Sequence, residues 1–204
     1  MAGHRLHPSI LREYDIRGTV GETLHEDDAY AIGRAFGTVL VEAGGKTVCV
    51  GYDGRTTSTG LESRLIQGLI ESGVDVLRVG LGPTPLLYLA VHHLQADGGV
   101  MVTGSHNPKD HNGFKFMLGT RSFFGDEITA LGERAAAGAY RDGAGTVSSV
   151  DIGAAYLAEL TAAYPSADEI VGDPPSVAWD PGNGASGDVV VALTKQLPGR
   201  HILI

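Results

Sequence analysis

Cysteine is nearly absent: the 204 residues contain one, Cys49. A lone thiol excludes an intrachain disulfide framework and any cysteine-rich zinc site. It lies in Thr47-Val48-Cys49-Val50, an apolar setting that marks a buried, inert thiol rather than a nucleophile. Aromatic residues are also scarce, at 6% with a single tryptophan. Phe123, Phe124 and Tyr164 read as packing residues, and nothing resembles the aromatic ladder on which nucleic acids stack. No apolar run approaches the ~18 residues of a membrane span. The segment Met1 to Ser9, with His4, Arg5 and His7, lacks the apolar core of a secretory signal. Cations are in deficit: 15 Lys and Arg stand against 24 Asp and Glu, a net charge of −9. Such a balance disfavours general binding to nucleic acid or an anionic membrane. These absences lead us to expect a soluble cytoplasmic protein with neither nucleic acid nor membrane as partner.

Glycine is abundant, at 30 residues and without a collagen-like period; it supplies tight turns and backbone that approaches a ligand closely. The length fits between one and two domains at ~150 residues each. Ile32, Phe36, Val39 and Leu40 recur at helical spacing, behind the capping candidates Asp27 and Asp28 and ahead of Gly44-Gly45. Thr47 to Tyr52 reads as a buried strand ending at Asp53-Gly54. Leu61, Leu65, Leu69 and Ile70 mark a second helix, and Val74 to Val79 a second strand. A helix over Thr84 to Leu94 follows Pro83. A strand over Gly99 to Thr103 then feeds the polar loop Gly104 to Asn112. Gly113 to Leu118 alternates as a strand, with Phe114 and Phe116 opposed to Lys115, and Glu127 to Ala137 forms a weaker helix. Strands alternating with helices imply α/β layers around a largely parallel or mixed sheet, and we expect a three-layer α/β/α domain with a mixed sheet over residues 1–140.

Ala139 to Ser149 is rich in Gly, Asp and Ser and reads as a linker, with boundaries near 141–151. Residues 152–204 then begin a second, similar α/β domain. Ile152 to Tyr164 is helical, Ser176 to Trp179 is a strand, and a helix runs to about Leu197. His201 to Ile204 starts another strand. A β-α-β unit leaves a sheet with an unpaired neighbour, so this second domain is expected to be incomplete.

The stretch Thr103-Gly104-Ser105-His106-Asn107-Pro108 is the richest in chemistry. A strand ends, a glycine relaxes the backbone, and a serine hydroxyl stands at a polar bend with Lys115 ten residues on. An acyl-transfer pair is disfavoured, because a histidine rarely serves its own sequence neighbour, and the second glycine of G-x-S-x-G is replaced by Asn107. Two readings stay open on the residues alone: a plain turn, since Ser, Asn, Pro and Gly are turn formers, and a phosphoryl-carrying serine, which needs an exposed hydroxyl, nearby cations and a metal site.

This loop, continued through Asn112-Gly113-Phe114-Lys115, resembles the active-site serine loop of the α-D-phosphohexomutases. Three further stretches agree in order and spacing: Arg12-Glu13-Tyr14-Asp15-Ile16-Arg17-Gly18, Val50-Gly51-Tyr52-Asp53-Gly54-Arg55, and Gly80-Leu81-Gly82-Pro83-Thr84-Pro85. The turn from Trp179 to Gly187 resembles the start of that family's second domain. Thr-Gly before the serine is closer to the phosphomannomutase/phosphoglucomutase branch than to the phosphoglucosamine branch.

The resemblance implies that Ser105 is the phosphorylated serine, exchanging its phosphoryl group with a hexose phosphate through a hexose 1,6-bisphosphate. It implies that His106, Asn107 and Thr103 shape the loop and its phosphate pocket. Lys115 and Arg17 become the cations beside the transferring group, with Lys115 a candidate proton carrier, and Tyr14 positions the phosphate. Mg²⁺ is implied as cofactor, touching Ser105 through its phosphate. Full members have four domains, and the Asp-x-Asp-x-Asp metal loop of the second, the sugar-reading Glu-x-x-Ser-x-His loop of the third and the phosphate grip of the fourth have no counterpart here. The expectation is therefore a mutase portion that is inactive without the remaining domains of a full-length enzyme. Its alternative is a non-catalytic phosphosugar-binding or structural remnant of the same fold.

Other signals weigh less. Gly182-Asn183-Gly184-Ala185-Ser186-Gly187 spells G-x-G-x-x-G, but the acidic residue that confirms a dinucleotide site ~20 positions on has no place, and a tight glycine turn is expected. His92 and His93 are adjacent and point apart. His106 and His111, with Asp110, lack further zinc ligands. Asp53 with Arg55 fits either a phosphate contact or a turn-stabilising ion pair.

Overall fold

The strand His111–Leu118 alternates in the structure as its sequence does, and that alternation orients the whole sheet. The computed structural model describes residues 3–204 and divides into two units, Met1–Val150 and Asp151–Ile204. The first unit runs β1 (Ile16–Thr19), α1 (Glu26–Glu42), β2 (Thr47–Tyr52), α2 (Ser58–Glu71), β3 (Asp75–Leu81) and α3 (Thr84–His93). It continues with β4 (Gly98–Val102), β5 (His111–Leu118), β6 (Arg121–Phe123), α4 (Asp126–Ala137) and β7 (Val147–Ser149). The strand order is β1-β5-β4-β2-β3-β7, with β6 also paired to β5. β2 pairs in parallel with β3 and β4, whereas β5 is antiparallel to β1, β4 and β6. The sheet is thus mixed, as its sequence led us to expect.

Even-numbered β5 side chains face the larger core. Phe114 and Phe116 are buried, and the Phe116 ring lies 5.0 Å from that of Phe36 on α1 and 5.9 Å from that of Phe123. Leu65 and Leu69 of α2 and Ile128 and Leu131 of α4 complete this layer. α1 and α2 meet through glycine: a Cβ on Gly33 would overlap the Leu65 carbonyl, and one on Gly68 the Tyr30 carbonyl. Only glycine permits so close a backbone approach. α3 covers the opposite face, where a Cβ on Gly99 would press into Val91 and come within 3.6 Å of Leu87. The three layers are therefore α1/α2/α4, sheet, and α3. Cys49 is fully buried inside β2, and burial pushes its thiol pKa up to about 12.

Several local features differ from the pattern reading. The N-cap of α1 is His25, and Asp28 takes the third-residue role by accepting from the His25 N–H at 2.7 Å. Glu26, Asp27 and Asp28 still place negative charge in the first turn, where the helix dipole favours it. β1, β6 and β7 had no clear period, each being only three or four residues long. β7 lies within the stretch read as linker, where it adds to β3 with Val76 opposite Val147.

The second unit contains α5 (Gly153–Ala162), β8 (Ser176–Trp179), α6 (Gly187–Leu193) and β9 (Arg200–Leu203). β8 and β9 pair in parallel, Ser176 opposite Arg200, and the Trp179 Nε1–H donates to His201 Nδ1 at 3.0 Å. Ile152, Tyr156, Leu193 and Leu197 are the buried apolar side chains of this unit.

Candidate active site

The carboxyl ends of parallel strands are where open α/β sheets bind ligands, and the adjacent ends of β2 and β4 carry the two conspicuous turns of this chain. Asp53 follows β2, and its N–H donates to the carbonyl of Val102, the last residue of β4. Thr103 then opens the loop that returns as β5. Its hydroxyl donates to Asp53 Oδ2 at 2.8 Å and accepts from the Ser105 N–H at 2.8 Å. The other Asp53 oxygen accepts from Ser58 Oγ at 2.6 Å, and the amide of buried Asn112 donates to that same hydroxyl oxygen at 2.9 Å.

Ser105 itself is exposed and adopts φ +53°. A non-glycine residue in this left-handed region stores strain and calls for surroundings that over-determine it. Its Oγ lies 3.4 Å from His106 Nδ1. The Asn107 amide donates to the Gly104 carbonyl at 3.2 Å, and the Asn107 N–H reaches the same oxygen at 3.0 Å.

The surroundings are supplied mainly by Arg55. Its Nη1 donates to the carbonyls of Pro108 (2.5 Å) and His111 (2.9 Å), and its Nη2 to those of Ser105 (3.0 Å) and Asn107 (2.7 Å). Its Nε–H donates to Asp53 Oδ2 at 3.2 Å. All five N–H groups are thereby engaged. Of the two readings open for Asp53 and Arg55, the ion pair is what forms, and the guanidinium has no donor left for a phosphate.

A cation cluster occupies the sheet face that β5 turns away from the phenylalanines. Ile16 pairs with Phe114, and one step further along this register Asp15 faces Lys115. Lys115 Nζ donates to Asp15 Oδ2 at 3.1 Å, and Nη2 of buried Arg17 donates to the same oxygen. Arg17 Nε is buried and has no hydrogen-bond partner among the described residues. Two cations share one carboxylate, so this corner is locally positive in a chain of net charge −9. Tyr14, 72% exposed, lies beside it with its ring 6.2 Å from that of Phe124. Those two residues, with Tyr88, Lys115 and Ser122, line an open groove of about 260 Å³. Phe124 is half exposed here rather than packed inside.

The geometry thus brings Thr103, Ser105, His106 and Asn107 into one loop, and Tyr14, Arg17 and Lys115 around Asp15. Asp15, Arg55 and Ser58 have parts in this arrangement that their sequence positions alone did not reveal. No three His, Cys, Asp or Glu side chains gather into a metal-holding group among the described residues. His111 Nδ1 meets Asp110 at 3.0 Å, and this imidazole contact, chiefly, holds the Asp110 carboxyl below its usual range. The residues present therefore do not make a Mg²⁺ site by themselves. Gly182 to Gly187 forms a turn, with the Gly182 N–H donating to Asp180 Oδ1 at 2.9 Å.

A mixed sheet between two helical layers, with a polar serine loop at its strand ends, describes an α/β/α class of domain, and sequence comparison finds the same class. Residues 8–139 match the phosphoglucomutase/phosphomannomutase α/β/α domain I, and the chain belongs to that family. Over 190 residues it is 42% identical to phosphomannomutase/phosphoglucomutase of Pseudomonas aeruginosa, covering 93% of this chain and 40% of the relative. Phosphoglucomutase of Neisseria gonorrhoeae is 41% identical over 196 residues, 92% of this chain and 40% of its own length. The crystal structure of a phosphoglucomutase/phosphomannomutase family protein from Burkholderia thailandensis superposes with a TM-score of 0.88 at 35% identity. That match covers 96% of this chain and 43% of the other. The chain spans about two fifths of the length of the curated relatives it matches.

Proposed function

We propose that this chain is the serine-bearing portion of a phosphohexomutase that interconverts hexose 1-phosphate and hexose 6-phosphate, with mannose or glucose as the sugar. The observation that carries this reading is the pairing of an exposed, strained serine loop with two cations that share a single carboxylate. Phosphoryl transfer asks a protein mainly for positioning and for fixed positive charge where the equatorial oxygens gain negative charge.

Phosphorylated Ser105 donates its group to the free hydroxyl of a bound hexose phosphate. The Oγ–P bond breaks, a sugar O–P bond forms, and the sugar hydroxyl proton passes to the departing Ser105 Oγ. Lys115 and Arg17 stabilise the passing phosphoryl group, and Lys115 stands on the proton's route. The product is a hexose 1,6-bisphosphate, which turns around and returns its other phosphoryl group to Ser105. His106, Asn107 and Thr103 shape the loop around that phosphate, and Tyr14 borders the sugar. Mg²⁺ belongs to this reading only with carboxylates from beyond the described residues. The remaining domains of a longer enzyme are then the partners of this chain, and its first domain reaches past the expected end at residue 140 to take in β7, with the second beginning near residue 152.

The test uses the protein purified from its own cells, treated with glucose 1,6-bisphosphate and Mg²⁺ and mapped by peptide mass spectrometry. A phosphoryl group is expected on Ser105, with none in Ser105→Ala. A group placed elsewhere, or none, would leave the non-catalytic phosphosugar-binding remnant as the better reading. The isolated 204-residue chain is expected not to interconvert mannose 1- and 6-phosphate, and a coupled assay detecting such turnover would refute that expectation.

A further inference from the structure

Arg55 lies under the serine loop and touches nothing that reacts, yet it makes more bonds to that loop than any other side chain. Its four Nη donors hold the carbonyls of Ser105, Asn107, Pro108 and His111, and Asp53 fixes the fork from behind. A trans peptide is planar, with C=O and N–H opposed. Turning the Ser105 and Pro108 carbonyls toward the guanidinium therefore turns the N–H groups of His106 and Lys109 away from it. Neither of those amides donates to another protein group among the described residues. Gly104 belongs to the same device: a Cβ there would overlap the Arg55 guanidinium carbon and sit 2.7 Å from the His111 carbonyl oxygen.

We propose that Arg55 is a positioning residue for phosphoryl transfer: by drawing four loop carbonyls inward it holds Ser105 in its left-handed conformation and leaves outward-facing amides for the phosphoryl group. This rests on the reading of Ser105 as the phosphoryl carrier. A planar five-donor fork is required, and lysine, a single point of charge on a flexible stem, does not replace it.

The experiment compares wild type, Arg55→Ala and Arg55→Lys, each purified from its own cells. The rate of phosphoryl uptake at Ser105 from glucose 1,6-bisphosphate is followed by mass spectrometry, with and without millimolar guanidinium chloride. In uptake, a sugar O–P bond breaks, the Oγ–P bond forms, and the serine proton goes to the leaving sugar oxygen. Misplacing a reacting group by ~1 Å lowers a rate by about 100-fold. Both variants are expected to fall by about that factor at saturating donor, with half-saturation little changed. Free guanidinium should restore Arg55→Ala and leave Arg55→Lys slow. Wild-type rates in both variants, or a slow Arg55→Ala that guanidinium does not restore, would overturn the inference. Should Arg55→Ala fail to fold, Arg55→Lys decides, and a wild-type rate in it overturns the inference. Absence of uptake in wild type sinks the mutase reading, and this one with it. Uptake in wild type with unaffected variants sinks the role of Arg55 alone.

Discussion

Single positions explain why the serine loop has the composition it has. Thr103 is both donor and acceptor, linking Asp53 to the Ser105 amide; Gly104 leaves room for a guanidinium; Asn107 ties the loop back to its own start. Gly104→Ala tests this most directly. Its new methyl would meet the far end of Arg55, a side chain that could swing aside only by releasing four carbonyls, and it would also press on the backbone at His111. Overpacking of this kind costs about 1–3 kcal/mol. We expect a loss of that size in chemical denaturation, together with faster amide exchange from Ser105 to His111. Unchanged stability and exchange would mean that the fork bends away freely. Arg55 was visible in the sequence as one of a pair with two possible roles. Its bonds to carbonyls 50 to 56 residues away were not, because main-chain acceptors leave no mark on residue identity.

Elements place these residues by register and by what fastens each strand. Asp97, just ahead of β4, fastens β4 to the start of β2. Its Oδ2 accepts from the Lys46 N–H (2.7 Å), the Thr47 N–H (2.8 Å) and the Thr47 hydroxyl (3.0 Å). Burial by itself would raise this carboxyl's pKa, but the three donors outweigh it and hold it below the usual carboxylate range. A carboxyl depressed in the folded state adds stability above its unfolded pKa, and that stability is lost as pH falls through the folded value. Asp97→Ala is therefore expected to lower stability by about 1–3 kcal/mol near neutrality. The gap from wild type should narrow as the solution is acidified below the ordinary aspartate range. A gap that stayed constant across that range in urea titrations would show that the carboxylate charge does not contribute. The longer elements were plain in the sequence because α1, α2 and β2 repeat their apolar positions over several turns or a full buried run. β1, β6 and β7 were not, because three or four residues hold no period and their pairing comes from the partner strand.

At the scale of the molecule, the two units differ in how much they bury. Met1–Val150 encloses an extensive core on both faces of a seven-stranded sheet, whereas Asp151–Ile204 buries four apolar side chains among the described residues. Local opening is governed by such burial. Hydrogen exchange is expected to be slow in β2, β4 and β5 and markedly faster across α5, β8, α6 and β9. Equal protection in both units would contradict this picture. No helix among the described residues is long and apolar enough to cross a membrane, consistent with the absence of any long apolar run. The acidity of the whole chain also gains a local counterpoint, since Arg17 and Lys115 outnumber Asp15 where phosphoryl chemistry is proposed.

The amino-acid sequence by itself determined the α/β class, the strand and helix under each strongly periodic stretch, and the four motifs that carry the family resemblance. Those features depend on short-range spacing and on residue type, which a linear chain displays directly. Tertiary structure alone decided that Asp15 is shared by Arg17 and Lys115, that Ser105 stands in a left-handed turn, and that Arg55 holds that turn from below. The Lys115–Asp15 and Arg55–Ser105 contacts join residues 100 and 50 positions apart, created when the ends of β1, β2, β4 and β5 assemble and the buried donors and acceptors there must find partners.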